Sequence, residues 1–167
     1  SFFSPGEDRS DLNSLMFMPE KLAKGDYVYF AGTFGSGREG RQIFRSRKKS
    51  GRIWGDPEPI KPLNTEGDEL LPYFDPIGSD LYFASNGREG MGGFDLYKSH
   101  YDDERDVWSE PMNHGFPVNS VNDDYLLLPG NDLGMVMFFS DRQAMDSLMT
   151  VYRVRLVEPK KPLPATD

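Results

Sequence analysis

Leu81-Tyr82-Phe83-Ala84-Ser85-Asn86-Gly87-Arg88-Glu89-Gly90, followed by Phe94-Asp95-Leu96-Tyr97, Trp108-Ser109-Glu110-Pro111 and Val118-Asn119, is the stretch that decides the fold. Thr65-Glu66-Gly67-Asp68-Glu69 leads into it. An earlier, degenerate copy reads Tyr27-Val28-Tyr29-Phe30-Ala31-Gly32, Gly37-Arg38-Glu39-Gly40, Gln42-Ile43-Phe44, Trp54-Gly55-Asp56-Pro57 and Leu63-Asn64. A later copy reads Asn122-Asp123-Asp124, Met135-Val136-Met137-Phe138-Phe139-Ser140-Asp141-Arg142 and Thr150-Val151-Tyr152-Arg153-Val154. The register is kept: Phe30 and Phe83 are 53 positions apart, Phe83 and Phe138 are 55 apart. A repeat of this length means stacked or radial supersecondary units, each burying its apolar face against the next.

Inside each copy the hydrophobic period is two. Aromatic and β-branched runs alternate with polar residues and are bounded by Gly, Asn, Asp and Pro, which is the pattern of strands. The middle copy predicts four: Leu70–Phe74, Asp80–Ser85, Phe94–Ser99 and Val107–Met112. Asn86-Gly87 is expected to supply a positive φ after the second strand. Asp102 to Asp106 forms the turn between the third and fourth. No window carries a convincing helical stripe; Leu12 to Lys24 comes nearest, and Pro19 and Gly25 interrupt it.

The expected fold is therefore all-β, with β-propeller-type blades of four antiparallel strands and about three blades in the chain, as a partial or self-completing propeller. Repeats fall near 14–64, 65–119 and 120–157 within a domain spanning 1–157. Phe3 to Asn13 matches Trp54 to Asn64 in spacing. Residues 1–5 are thus a candidate closing strand, and the third copy lacks its fourth strand. Residues 158–167 read as a proline-rich linker or tail. The chain opens on Ser1 without a signal-like segment, so the expectation is a processed or trimmed piece of a longer product.

The bulk chemistry narrows the function classes. A net charge of −8 without a basic stripe argues against nucleic acid. No apolar run is long enough to insert in a bilayer as a helix. With no cysteine there is no disulfide frame, zinc-thiolate cluster or thiol nucleophile. The basic cluster Arg45, Arg47, Lys48, Lys49 and Arg52 lacks interleaved aromatics and reads as a solvated hairpin turn.

The middle copy, Ser85 to Tyr97 with Trp108-Ser109-Glu110-Pro111 and Val118-Asn119, strongly resembles the TolB-type (WD-repeat-like) β-propeller repeat. The match is closest to versions in bacterial envelope proteins, where the propeller often precedes an OmpA-like peptidoglycan-binding domain. The resemblance covers about Ser10 to Leu156. The first copy departs from it at Gln42-Ile43-Phe44, and the third lacks the glycine-rich loop. It implies a periplasmic or cell-surface, outer-membrane-associated module that binds protein or peptidoglycan partners, with a possible link to type IX secretion. It implies neither catalysis nor a cofactor. Self-association, or missing blades supplied by a longer chain, are the assembly options.

Site candidates follow from blade equivalence. Asp68, Glu69, Asp123 and Asp124 precede the first strand of successive repeats, and Arg38 and Arg88 sit in the loops after the second strand. In a propeller both loop sets emerge on one face, so these six are the expected ligand- or partner-binding residues. Two alternative readings stay open. The acids could be a calcium site or a glycosidase acid pair, or they could be hydrogen-bonded turns that close each blade. Gly87-Arg88-Glu89-Gly90 is no phosphate loop, because no Gly-Lys-Ser/Thr opens a helix after it. Arg88 is expected to pair with a nearby carboxylate such as Asp95. His100 and His114 have no nucleophile at a recognisable spacing and read as surface or turn residues. Trp54 and Trp108 read as packing residues of the fourth strand.

Overall fold

The computed structural model describes residues 27–33, 40–51, 53–75, 77–130, 134–143 and 149–156. The expected closing segment at residues 1–5, the tail at 158–167, Arg38 and the first strand of the first repeat lie outside them. The described residues form three antiparallel sheets in sequence order. The first contains β1 (Tyr27–Gly32), β2 (Gln42–Ser50), β3 (Ile53–Trp54) and β4 (Glu58–Pro59). The second contains β5 (Glu69–Asp75), β6 (Asp80–Ser85), β7 (Asp95–Asp102), β8 (Val107–Trp108) and β9 (Met112–Asn113). The third contains β10 (Asp124–Pro129), β11 (Met135–Ser140) and β12 (Thr150–Arg155). No α-helix occurs among the described residues.

The repeat read from the sequence is a structural repeat. Phe30, Phe83 and Phe138 are buried on β1, β6 and β11. Each lies opposite an aromatic on the next strand: Phe44, Tyr97 and Tyr152. The three ring pairs stack with centroids 6.0, 5.9 and 5.5 Å apart. A hydrophobic face repeated in this way makes each sheet a docking surface for its neighbour. Tyr29, Ile43, Ile60 and Leu63 of the first sheet pack with Phe74, Leu81, Phe83 and Tyr97 of the second. The opposite face of the second, Ala84 and Leu96 with Val118, packs against Leu127, Val136 and Phe138 of the third. Trp108 meets Tyr29, Phe74 and Tyr101 edge-on or tilted, so it is a packing residue.

Three local features differ from the sequence reading. The expected fourth strand, Val107–Met112, is two short pieces on the edge of β7, with Pro111 between them; proline cannot donate to the ladder. The first strands of the second and third repeats, β5 and β10, each carry a bulge, with Leu71 and Leu126 at φ of 51° and 44°. Leucine gives no sequence signal for this left-handed backbone, which its Cβ disfavours. Gly87 is not in the positive-φ region. It is needed instead for close approach, since a Cβ there would lie 1.8 Å from Thr65 Oγ1.

Candidate functional site

The predicted acids sit in the two connections that join successive sheets, and each connection is built by the same hydrogen bonds. In the first, Asp68 Oδ1 accepts from the Arg41 N–H at 2.6 Å, and the Glu69 N–H donates to the Arg41 carbonyl at 2.9 Å. In the second, Asp123 Oδ1 accepts from the Phe94 N–H at 2.8 Å, and the Asp124 N–H donates to the Phe94 carbonyl at 2.7 Å. Arg41 and Phe94 each immediately precede a third strand, β2 and β7. These carboxylates therefore cap the start of one sheet's third strand from the start of the next sheet.

Glu69 and Asp124 are fully buried. Thr65 donates to Glu69 through its backbone N–H and its hydroxyl, at 3.1 and 2.7 Å, and Ser85 Oγ donates at 3.0 Å. Burial pushes the Glu69 carboxyl above its usual range, and the Thr65 and Ser85 bonds oppose that. Ser120 plays the part of Thr65 for Asp124, at 2.6 and 3.0 Å. The third sheet adds a cation: Arg142 Nη2 lies 2.6 Å from Asp124 Oδ1. Asn86 and Asp141, after the second strands, accept from the Asp68 and Asp123 N–H groups at 2.7 and 2.9 Å. The acids and the loops after the second strands thus share one end of the sheets.

Arg88 donates to the Pro62 carbonyl at 3.1 Å and lies 3.6 Å from the exposed Glu110. It does not pair with Asp95 as expected. Asp95 is buried and accepts from the Met91 N–H and from Asn113 Nδ2, which ties up the loop between β6 and β7. Arg142 is the positional equivalent of Arg88, donating to the Pro117 carbonyl at 2.8 Å.

The asparagines that close each repeat are structurally more telling than the acids. Asn64 Oδ1 accepts from the Ile43 N–H at 2.7 Å, and its Nδ2 donates to the Ile43 carbonyl at 3.0 Å. Asn119 does the same to Leu96, at 2.8 and 3.0 Å. Each imitates a strand partner for one residue at the edge of the third strand. Their fixed place in the repeat was the only sequence signal for this.

The connection before β10 also carries two exposed apolar side chains, Phe116 and Val121, which are 79% and 78% accessible. Among the described residues no group of three or more His, Asp or Glu side chains could hold a metal ion. The basic cluster is not wholly a solvated turn. Arg45 lies over the Tyr27 ring and reaches Asp106 of the second sheet at 3.3 Å.

The two histidines differ. His100 is exposed, with Nδ1 2.9 Å from Asp80. His114 stacks on Tyr82 at 5.7 Å, and its Nε2 is buried without a hydrogen-bond partner. Burial, helped by the Lys98 charge, pulls the His114 pKa down to about 4. The unfolded chain protonates this residue near 6.5, so between those values it binds the proton that the folded chain refuses. The contribution is full above pH 6.5 and falls as pH drops toward 4, by on the order of 3 kcal/mol. Urea unfolding of wild type and His114→Phe between pH 7 and 4 checks this. The variant should lose that part of the pH dependence; parallel curves would rule His114 out as its source.

Comparison of the chain with protein-family models, with curated proteins and with solved structures gives no match.

Proposed function

We propose that the chain is a non-catalytic β-propeller-type binding module of a bacterial envelope protein, acting in the periplasm or at the cell surface on protein or peptidoglycan partners. The observation that carries this reading is the serial face-to-face packing of equivalent sheets, joined by equivalent connections at one end. Such packing suits blades placed side by side, and loops held by a rigid scaffold are where binding is usually found. The resemblance of Ser85 to Tyr97 to TolB-type repeats supplies the envelope setting.

The same geometry divides the labour among the proposed site residues. Glu69 and Asp124 are buried, so their role in recognition is to position the connections. Asp68, Asp123 and Arg88 stand between the two roles, each holding backbone while lying at the loop end. Direct contact then falls to the exposed Phe116 and Val121. A glycosidase needs a carboxylate able to give up or take a proton at the sugar, and these four already accept bonds from the protein's own backbone and hydroxyl groups.

The test replaces Phe116 and Val121 together with serine and measures binding to isolated peptidoglycan sacculi and to envelope extract. Binding should fall about tenfold, the weight of one or two buried apolar anchors, with thermal stability unchanged. Unchanged binding would reject this face, and glycoside hydrolysis by the purified chain would reject the non-catalytic reading.

A further inference from the structure

The turn after β6 places an asparagine directly before a glycine, and both residues are exposed: Asn86 and Gly87. The Asn86 N–H donates to the Asp68 carbonyl at 3.2 Å, and Asn86 Oδ1 accepts from the Asp68 N–H at 2.7 Å. Among the described residues the Asn86 Nδ2 makes no hydrogen bond. An asparagine in this setting is chemically labile. Its side-chain carbonyl carbon can close a five-membered ring with the next backbone nitrogen, and glycine has no Cβ to obstruct that nitrogen.

The third repeat carries an aspartate at the same place. The Asp141 N–H donates to the Asp123 carbonyl at 3.2 Å, and Asp141 Oδ1 accepts from the Asp123 N–H at 2.9 Å. Both turns use only an oxygen acceptor, which a carboxamide and a carboxylate supply alike. Conversion of Asn86 into aspartate therefore keeps both bonds to Asp68 and adds a negative charge at this end of the sheets.

We propose that Asn86 is a site of spontaneous deamidation in the folded chain, with water as the co-reactant. The Gly87 nitrogen loses its proton to solvent and attacks Asn86 Cγ. The new C–N bond closes a succinimide ring, the Cγ–Nδ2 bond breaks, and Nδ2 takes up protons from water and leaves as ammonia. The Asp68 N–H, already on Oδ1, stabilises the negative charge that this oxygen carries during the attack. Water then adds to one of the two ring carbonyls. Opening at Cγ gives aspartate, and opening at the Asn86 main-chain carbonyl gives isoaspartate. The brake is Ser85, whose Oγ accepts from the Gly87 N–H at 3.2 Å. That is the long end of the range for such bonds, so the nitrogen is lightly held. The two products differ in fit. A Cβ on Gly67 would lie 2.5 Å from Asn86 Oδ1 and 2.7 Å from Gly87 Cα, so Gly67 packs closely on this turn. Aspartate has the shape of the asparagine it replaces, whereas isoaspartate adds a methylene to the main chain and pushes Gly87 against Gly67. The reaction does not depend on partner binding at this end of the sheets, so either can fail alone.

The test holds the full chain in mildly alkaline buffer, well below its thermal midpoint, and maps its peptides by mass over time. The peptide containing Asn86 should gain the mass difference between an amide NH2 and a hydroxyl. Asn86 should convert at least about tenfold faster than Asn64, Asn113, Asn119 and Asn122, none of which precedes a glycine. Asn86→Gln should remove the mass change, because glutamine must close a larger ring. Asn86→Asp should keep the wild-type thermal midpoint, and the separated isoaspartate form should melt below both. Asn86 left intact while other asparagines convert overturns the proposal, whatever the variants do. Conversion that requires urea overturns it equally, by placing the reaction in the unfolded chain. A midpoint for Asn86→Asp well below wild type overturns the claim that the turn accepts the product.

Discussion

Asn119→Ala is expected to destabilise the chain by roughly 2 kcal/mol, a large part of what holds a domain of this size folded. The asparagine is completely buried, and it satisfies both the N–H and the carbonyl of Leu96, itself completely buried. It also donates to Asn113 Oδ1 at 2.7 Å, which in turn accepts from the Gly115 N–H. Alanine leaves the Leu96 N–H without a partner in a place water does not reach, while the Leu96 carbonyl keeps the His114 N–H, which donates to it at 3.0 Å. An unsatisfied buried group costs about 1–3 kcal/mol, so the orphaned N–H dominates over the small loss of packing. Asn64→Ala should behave alike, because Asn64 holds Ile43 through the same pair of bonds. Urea unfolding checks both. A loss below about 1 kcal/mol for Asn119 would mean that the backbone of β7 finds other partners, and that the asparagines are not the clamps described.

This residue also shows how far the sequence could be read. The 53- and 55-residue spacing located β1, β6 and β11 through Phe30, Phe83 and Phe138, because a strand must turn one face to a neighbour and the side chains that fill it recur. The span of β6 was legible, since Asn86-Gly87 ends an alternating run that begins at Asp80. The roles of polar residues were harder to read. Asp68 and Glu69 are adjacent and both acidic, yet one caps a strand of the preceding sheet and the other is buried among Thr65 and Ser85. Which hydrogen bond an acid makes depends on how close two distant connections come, and composition does not encode that distance. Arg88 was expected at Asp95 because that carboxylate is near it in sequence. The Met91 N–H takes that carboxylate first, being only four residues away and directed to it by the turn. The bulges at Leu71 and Leu126 left no trace, because leucine is neither a turn former nor tolerant of positive φ.

The second large effect is expected at Arg142. Arg142→Met should cost about 4 kcal/mol, and Arg88→Met, at the equivalent place, about 1 kcal/mol or less. The difference lies in what each cation leaves behind. Removing Arg142 strands the Asp124 carboxylate, which is fully buried and, among the described residues, otherwise held by Ser120 alone. It also frees the Pro117 and Val118 carbonyls and removes the guanidinium that lies over the stacked Phe138 and Tyr152 rings, 5.0 and 4.9 Å from their centroids. Arg88 leaves behind an exposed Glu110 and one carbonyl, and the buried Glu69 keeps its Thr65 and Ser85 donors. Breaking a buried pair is costly because of the uncompensated charge, so the double variant Arg142→Met with Asp124→Asn should recover a substantial part of the loss. Arg142 also fixes the connection that displays Phe116 and Val121. The single variant should therefore raise amide exchange at Val118 and Asn119 well before global unfolding, at the same connection where partner binding is proposed. Equal losses for the Arg88 and Arg142 variants, or no recovery in the double variant, would show that the charge on Asp124 is not what Arg142 offsets, and would leave its contacts with the rings, Ser140 and the Pro117 and Val118 carbonyls as its role.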